Sequence, residues 1–410
     1  MDHNRHSTTF EEPLRTAGER ESALSPASLF APMLVVVFAL AVHFIGPMFG
    51  DYTERVLLDC AVAIVAAVSL NIVNGFTGQF SIGHAAFMAV GGYTAAWISY
   101  YLSLAIWKTT YTPPDPEQSR LALETIRLIG PRQWILLGAA LVGGLVAAGA
   151  GWLVGLPSLR LRGDYLAIVT LGFGEILRVL LQQTNPQALS YEQMQSRPWI
   201  GFSSSEPGLL LPPAVGGALG FTDIPKVTNL FWAYLFVGAA VLFSFRLKMS
   251  SYGRAMISIR EDEIAAEAMG VNVTKLKVRA FMFAAFFAGI AGALYAHQPG
   301  TTLRPIDAGF LRSFEIVIMV VLGGLGSISG AILAAIIITV INALLLGLTD
   351  YGLLAYRMPT FALVLILLMI FRPQGLFGIR EVWDFFGGKA ADGTKSGHTR
   401  QPHRNGGGST

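Results

Sequence analysis

Cysteine is almost absent: the 410 residues contain one, Cys60, inside an apolar run. That excludes an internal disulfide, a cysteine zinc cluster and an iron–sulfur site. Charge is scarce too. Asp, Glu, Lys and Arg make up 13% of the chain, about half the roughly 25% of a soluble domain, so an ordinary soluble protein is excluded. The formal net charge of +3 gives no general polyanion-binding surface, and no nucleic-acid partner is expected. Catalytic signatures are missing as well. There is no G-x-x-x-x-G-K-[ST] loop, so no nucleotide is held by that means, and no H-E-x-x-H helix or other metal site. The nearest approach to G-x-S-x-G is Gly326-Ser327-Ile328-Ser329-Gly330, where the spacing is wrong. No series of intramembrane arginines suggests a voltage sensor.

What remains is apolar. Hydrophobic residues make up 53% of the chain and the mean hydropathy is +0.54. The 45 glycines fall mostly in apolar stretches, as they do where small residues let helices approach closely in lipid. An all-α polytopic membrane protein is expected. About 20 apolar residues cross the roughly 30 Å hydrocarbon layer as a helix. Ten candidate transmembrane helices follow, at 29–49, 56–74, 84–105, 133–155, 164–182, 229–246, 279–298, 310–325, 328–348 and 353–371. Between the eighth and ninth, Gly323-Gly324-Leu325-Gly326-Ser327 reads either as a tight turn or as an unwound break in one span.

Lys and Arg set the orientation. Seven lie from Arg246 to Arg279, six from Arg372 onward and three in the N-terminal tail. With Arg160 and Arg162, ten spans place 18 of the 29 basic residues inside and both termini in the cytoplasm. The expected organisation is a cytoplasmic tail (1–28), a membrane domain (29–378) and a disordered cytoplasmic tail (379–410). A cytoplasmic loop spans 247–278, and extracytoplasmic loops span 106–132 and 183–228. The second of these is long enough for a short lid or helix. His398 and His403, in the last tail, read as solvated. Gly75-x-x-Gly78-x-x-Ser81-Ile82-Gly83 and Gly323-Gly324-x-Gly326-x-Ile328-x-Gly330 are loosely similar, which glycine richness alone would also produce.

Three segments carry most of the information. In the loop Ser251 to Gly270, Ser258 and Glu261 have capping-box spacing, so a helix of about eleven residues is expected from near Ile259. Glu261, Asp262 and Glu263 suit its first turn and Gly270 its end. Ile264, Ala265, Ala268 and Met269 form an apolar stripe, either for a partner or for the chain's own membrane domain. In Leu70 to Phe87, the polar Asn71, Asn74, Gln79 and His84 accompany Gly75, Gly78 and Gly83. This reads as a broken helix or gate, or as a turn with polar caps; His84 alone reads as a packing histidine. In Leu159 to Ile176, Glu175 falls near the midplane. A substrate ammonium is a possible transient partner there, and Arg178, one turn on, a permanent one.

These strings resemble one family. Ile264-Ala265-Ala266-x-x-x-Gly270 is similar to the E-A-A-x-x-x-G signature of ABC importer membrane subunits, with Ile in the Glu position. Gly253-Arg254-Ala255 … Ile259-Arg260-Glu261-Asp262-Glu263-x-Ala265-Ala266 … Gly270-Val271-Asn272-Val273 resembles the LivM-type branched-chain amino acid permeases specifically. Leu70-Asn71 … Gly75 … Gly78 … Ser81-x-Gly83-His84-Ala85 and Arg162-Gly163-Asp164-Tyr165-Leu166-Ala167-Ile168-Val169-Thr170-Leu171-Gly172-Phe173-Gly174-Glu175-Ile176 match its other motifs. So do the glycine turn with Gly323, Gly324 and Gly326, and Arg372-Pro373-x-Gly375-Leu376-Phe377-Gly378. The resemblance covers about residues 56–378. After the Glu175 span, Asn185-Pro186-Gln187 … Gly201-Phe202-Ser203 stands where the family usually has a Thr-Gly-Gly stretch.

The resemblance implies a type II ABC importer-like permease in a bacterial inner membrane, not itself an enzyme. Its implied partners are a second permease subunit, two ATP-binding subunits and a periplasmic binding protein. The chain itself would carry no cofactor, ATP and Mg being held by the ATPases. It assigns coupling to Arg254, Arg260, Glu261, Asp262, Ala265, Ala266 and Gly270. Candidates for lining the path are Asn71, Asn74, Gln79, His84 and Glu175. The substrate is expected to be a branched-chain or other small amino acid, with urea or amide import as the alternative. A secondary transporter would have to use Glu175 and His84 for ion coupling. An intramembrane hydrolase would need Ser327 or Ser329 with His84 or His297.

Overall fold

The structure, a computed structural model, describes residues 26–108, 130–158, 164–185, 188–196 and 214–347, together with Pro359, Leu363, Ile366, Gly375, Leu376, Gly378 and Glu381. Its elements are helical. They are α1 (Pro26–Ile45), α2 (Asp51–Asn71), α3 (His84–Trp107), α4 (Pro131–Ser158), α5 (Asp164–Gln182), α6 (Tyr191–Ser196), α7 (Leu230–Met249), α8 (Ser251–Glu261), α9 (Glu263–Ala268), α10 (Val273–Ala296), α11 (Phe310–Gly323) and α12 (Ile328–Gly347).

Among the described residues, seven helices are long and apolar enough to cross a membrane. The chain is a multi-pass membrane protein. The candidate spans at 84–105 and 310–325 correspond to α3 and α11, which are not among the seven. α3 has the length, with 24 residues, but its Tyr, Ser and Gly side chains dilute its hydropathy. It is buried along most of its length, so protein rather than lipid meets its polar groups. α11 has 14 residues. The candidate at 353–371 lies outside the described residues apart from three isolated positions, and so do residues 1–25, the last tail apart from Glu381, Arg160, Arg162, His398, His403 and most of 106–132. Glu381 is buried, unlike the disordered tail expected there.

α2 lies at the centre, with Leu58 and all residues from Cys60 to Asn71 buried. Around it the helices pack through small residues, as the glycine content leads one to expect. A Cβ on Gly91 of α3 would run into the Gly289 backbone of α10, and one on Gly92 would lie 2.9 Å from the Gly292 carbonyl oxygen. Gly144 of α4 faces the Phe286 carbonyl at 3.0 Å in the same sense. α3, α4 and α10 therefore touch backbone to backbone. On the periphery Leu34, Val37 and Phe38 of α1, Leu145 and Leu153 of α4 and Ile168, Ile176 and Leu180 of α5 are exposed, as a lipid-facing surface requires.

The turn from α2 to α3, the α8–α9 segment and the α11–α12 turn meet at one end of this bundle. At the opposite end the start of α2, the end of α10 and the end of α12 converge. Within 183–228 the described residues include the short α6 and a 3-10 turn, Gly217–Leu219.

Candidate functional site

The 251–270 segment differs from the expectation. Two helices are present where one was read from Ser258. Ser250 caps α8, accepting from the Gly253 N–H at 3.1 Å, and Ser258 sits inside that helix, its hydroxyl donating to the Ala255 carbonyl. Asp262 leaves helical geometry (φ −155°, ψ 112°) and caps α9 by accepting from the Ile264 and Ala265 N–H groups at 2.9 and 3.0 Å. S-x-x-E spacing describes a cap only where the Ser backbone is extended. Here Ile259 is buried, which holds that stretch in α8, and Asp262 takes the capping role. Gly270 closes the segment at φ +85°.

The stripe on α9 is turned outward. Ile264 is 71% exposed and Met269 84%, Ala265 and Ala268 are exposed, and Ala266 alone is buried. Glu263 anchors the base of α9 through an ion pair with Lys277 at 2.8 Å. Arg254 stays on α8, donating to the Met249 carbonyl and the Ser251 hydroxyl.

Arg260 joins this segment to the membrane domain. Its Nη1 donates to the Gly75 carbonyl at 2.8 Å, while Nε and Nη2 reach the Glu261 carboxylate. Glycines make room for it. A Cβ on Gly78 (φ +67°) would lie 2.7 Å from Arg260 Cγ, and one on Gly326 (φ +91°) 2.7 Å from Nη1. Both turns flank one guanidinium.

The turn after α2 is a π-helical turn, Ile72–Phe76, followed by an irregular connection to His84. It is buried from Ile72 to Thr77. Asn71 ties it to the other glycine turn: its Oδ1 accepts from Gly326 N at 2.9 Å and its Nδ2 donates to the Ser327 carbonyl at 3.1 Å. The Gly323–Ser327 stretch is a tight turn between α11 and α12, with Gly324 at φ +106°. The two loosely similar glycine strings thus meet face to face. Asn74 pairs with the Ser81 backbone. Gln79 accepts from Thr77, and its Nε2, like Ser81 Oγ, is buried without a hydrogen-bond partner among the described residues. A Cβ on Gly83 would strike the Thr170 carbonyl of α5. His84 starts α3, fully buried, 2.8 Å from Ser69 Oγ.

Glu175 stands apart from this group. It pairs with Arg178 at 2.6 Å and accepts from the Phe310 N–H at the start of α11. The hydrolase arrangement is not present among the described residues, since His84 bonds Ser69 and His297 bonds Ser99.

Further residues went unread in the sequence. Glu381 accepts from Lys248 Nζ at 2.5 Å, from the Ile328 and Ser329 N–H groups and from the Ser329 hydroxyl. It caps α12 from beyond the last candidate span. Burial works to raise its carboxyl, and these donors outweigh it, holding the group below the ordinary carboxylate range. Lys248 also donates to the Gly326 carbonyl at 2.8 Å. Arg312 and Glu315, paired at 2.7 Å inside the bundle, were signalled by two charges within one candidate span.

Residues 52–372 match the family described as branched-chain amino acid transport system / permease component. The high-affinity branched-chain amino acid transport system permease protein LivM of Salmonella typhimurium is 34% identical over 83% of this chain and 74% of its own, and that of Escherichia coli 35% over the same shares. The LivH permease protein of Escherichia coli is 23% identical over 83% of this chain and 97% of its own. No solved structure matches. The chain belongs to the branched-chain amino acid transport permease family.

Proposed function

We propose that this chain is the membrane-spanning permease subunit of an ATP-driven ABC importer, moving branched-chain or other small amino acids delivered by a periplasmic binding protein. The observation that carries the proposal is α9. It is a capped six-residue rod that presents Ile264 and Met269 outward and is tied to the glycine turns by Arg260. A lone transporter has no use for such an element. A subunit driven by separate ATPases needs one.

In this reading two ATP-binding subunits hold ATP and Mg, and the chain supplies no ATPase site. When they close, α9 moves with them and swings at Asp262, where helical geometry is already broken. Arg260 carries the displacement to Gly75, and Asn71 carries it to Gly326 and Ser327. The inner ends of α2, α3, α11 and α12 then shift together, opening or closing a path near Asn71, Asn74, Gln79 and His84. The architecture is a type II importer with ten spans, a second permease subunit beside it and both termini in the cytoplasm of a bacterial inner membrane. The bias of Lys and Arg toward the α9 end supports this orientation.

The test is uptake of labelled leucine into proteoliposomes holding the assembled complex and the loaded receptor. Uptake requires ATP and both ATPase subunits; uptake by this chain alone on an ion gradient overturns the proposal.

A further inference from the structure

A cavity of about 330 Å³ with a mixed polar and apolar lining opens at the end of the bundle opposite α9, between α2, α10, α11 and α12. We propose that it is a binding site for the zwitterion of a free α-amino acid, with Asp59 taking the ammonium group and Arg55 and Arg304 the carboxylate. The proposal rests on the reading of the chain as an amino acid permease and names where such a substrate would sit.

Size comes first. The volume lies at the lower end of the roughly 300–1,000 Å³ of small-molecule sites, which suits one small solute. Depth follows from α2: the lining runs from Tyr52 to Ala63, eleven residues or about 16 Å along the helix axis. The outer part holds Arg55, Asp59 and Arg304, and Ala63 and Met319 line the wall deeper in. A charged head would meet Arg55, Asp59 and Arg304, and a small aliphatic tail would lie against Ala63 and Met319, with Thr339 also on the deeper wall.

Valence comes second. Asp59 is a carboxylate within a span, where an ionisable group is costly to leave without a counter-charge. Among the described residues it has no hydrogen bond or ion pair, although Arg312 and Arg55 lie close enough to act on it through space. Arg312 is already committed, donating to Glu315 at 2.7 Å and lying over the Tyr295 ring. Asn342 donates through Nδ2 to the other Glu315 oxygen at 2.7 Å, which fixes the amide and leaves its Oδ1 buried and unpartnered on the cavity. Asp59 and Asn342 therefore offer acceptors that lack a donor. The side chains of Arg55 and Arg304 form no ion pair within 4 Å among the described residues; they act only through space, Arg55 on Asp59 and Arg304 on Asp307, and they offer donors at the same mouth. An ammonium and a carboxylate one carbon apart satisfy both sets.

The experiment reads occupancy directly. Thr302, on the cavity wall, is changed to Cys in a Cys60→Ser background, and the full chain is placed in nanodiscs of phosphatidylglycerol, which has no zwitterionic headgroup. Alkylation of that thiol is timed with leucine, with the 2-oxo acid of the same side chain, and with neither. The site predicts that leucine at tens of millimolar slows alkylation and the 2-oxo acid does not. Asp59→Asn should weaken the protection about tenfold, the loss expected of one charge-assisted hydrogen bond, and Asp59→Glu should restore most of it. No protection by leucine, equal protection by the 2-oxo acid, or full protection in Asp59→Asn overturns the proposal. Because no ATPase takes part, such a failure beside intact ATP-driven uptake by the complex would remove this site and leave the permease reading standing.

Discussion

Arg260 and Gly75 lie 185 residues apart in sequence, yet the guanidinium of one donates to the carbonyl of the other at 2.8 Å. This bond links the α8–α9 segment directly to the turn that ends α2, and in the proposed coupling scheme Arg260 is the joint. Arg260→Ala should leave receptor-stimulated ATP hydrolysis running while lowering leucine uptake per ATP by about tenfold, since a charge-assisted bond is worth about 1.5 kcal/mol or more. Arg260→Lys should recover little, because one ammonium cannot serve the carbonyl and Glu261 in the same fork geometry. Hydrolysis and uptake measured together in proteoliposomes check this.

The glycines around that guanidinium give a second prediction. Gly78→Ala places a methyl 2.7 Å from Arg260 Cγ at a φ of +67°, so it should destabilise the purified protein by about 1–2 kcal/mol. Gly172→Ala meets nothing within 4 Å and should shift the thermal midpoint little or upward. Thermal unfolding in detergent compares the two.

Asn71 offers a test of the clamp between the turns. Asn71→Leu leaves the buried Gly326 N–H unpaired and should cost about 1–3 kcal/mol. Asn71→Asp keeps an acceptor for Gly326 but sets oxygen against the Ser327 carbonyl, so it should not rescue. The same thermal assay decides.

Glu381 makes the clamp on α12 pH-dependent in a stated direction. In the folded state its carboxyl loses its proton at a lower pH than an ordinary carboxylate, so its contribution is complete above the ordinary range and fades as pH falls through the lower folded value. Wild-type stability should therefore drop on acidification more steeply than that of Glu381→Gln, the two curves converging at low pH. Parallel curves would show that the carboxylate does not hold α12.

For Glu175 the expected result is structural. The pair with Arg178 is partly exposed, at 38% and 30% of the two side chains, so its coupling in a double-mutant cycle should stay below about 1 kcal/mol. Glu175→Gln keeps an acceptor for Phe310 and should leave the leucine KM of the complex unchanged. A large KM rise would return Glu175 to the transport path.

Much of this was legible in the sequence because periodicity and local strings report local facts. Glycines within apolar runs pointed to close helix–helix contact, though not to α3, α4 and α10 as the helices involved, and Asn71, Gly75 and Gly78 stood out as polar and flexible residues beside a span. Partnership was not legible. Nothing in the sequence near Arg260 points to Gly75, and Glu381 lies 53 residues from the Ile328 N–H it accepts from. The Ser258 reading failed because S-x-x-E occurs inside helices as well as at their starts, and only the burial of Ile259 tells the two apart. Asp59, Arg312 and Glu315 were visible as charges within apolar runs, a signal that needed only to be followed.

The central claim of the proposal is that α9 takes its motion from a separate ATP-binding subunit. A photo-activatable residue at Met269, which is 84% exposed, tests it in native membranes. The account predicts a cross-linked adduct with a nucleotide-hydrolysing subunit, lost when Ala265 is replaced by Trp. Active import with no such adduct from any position on α9 would contradict it.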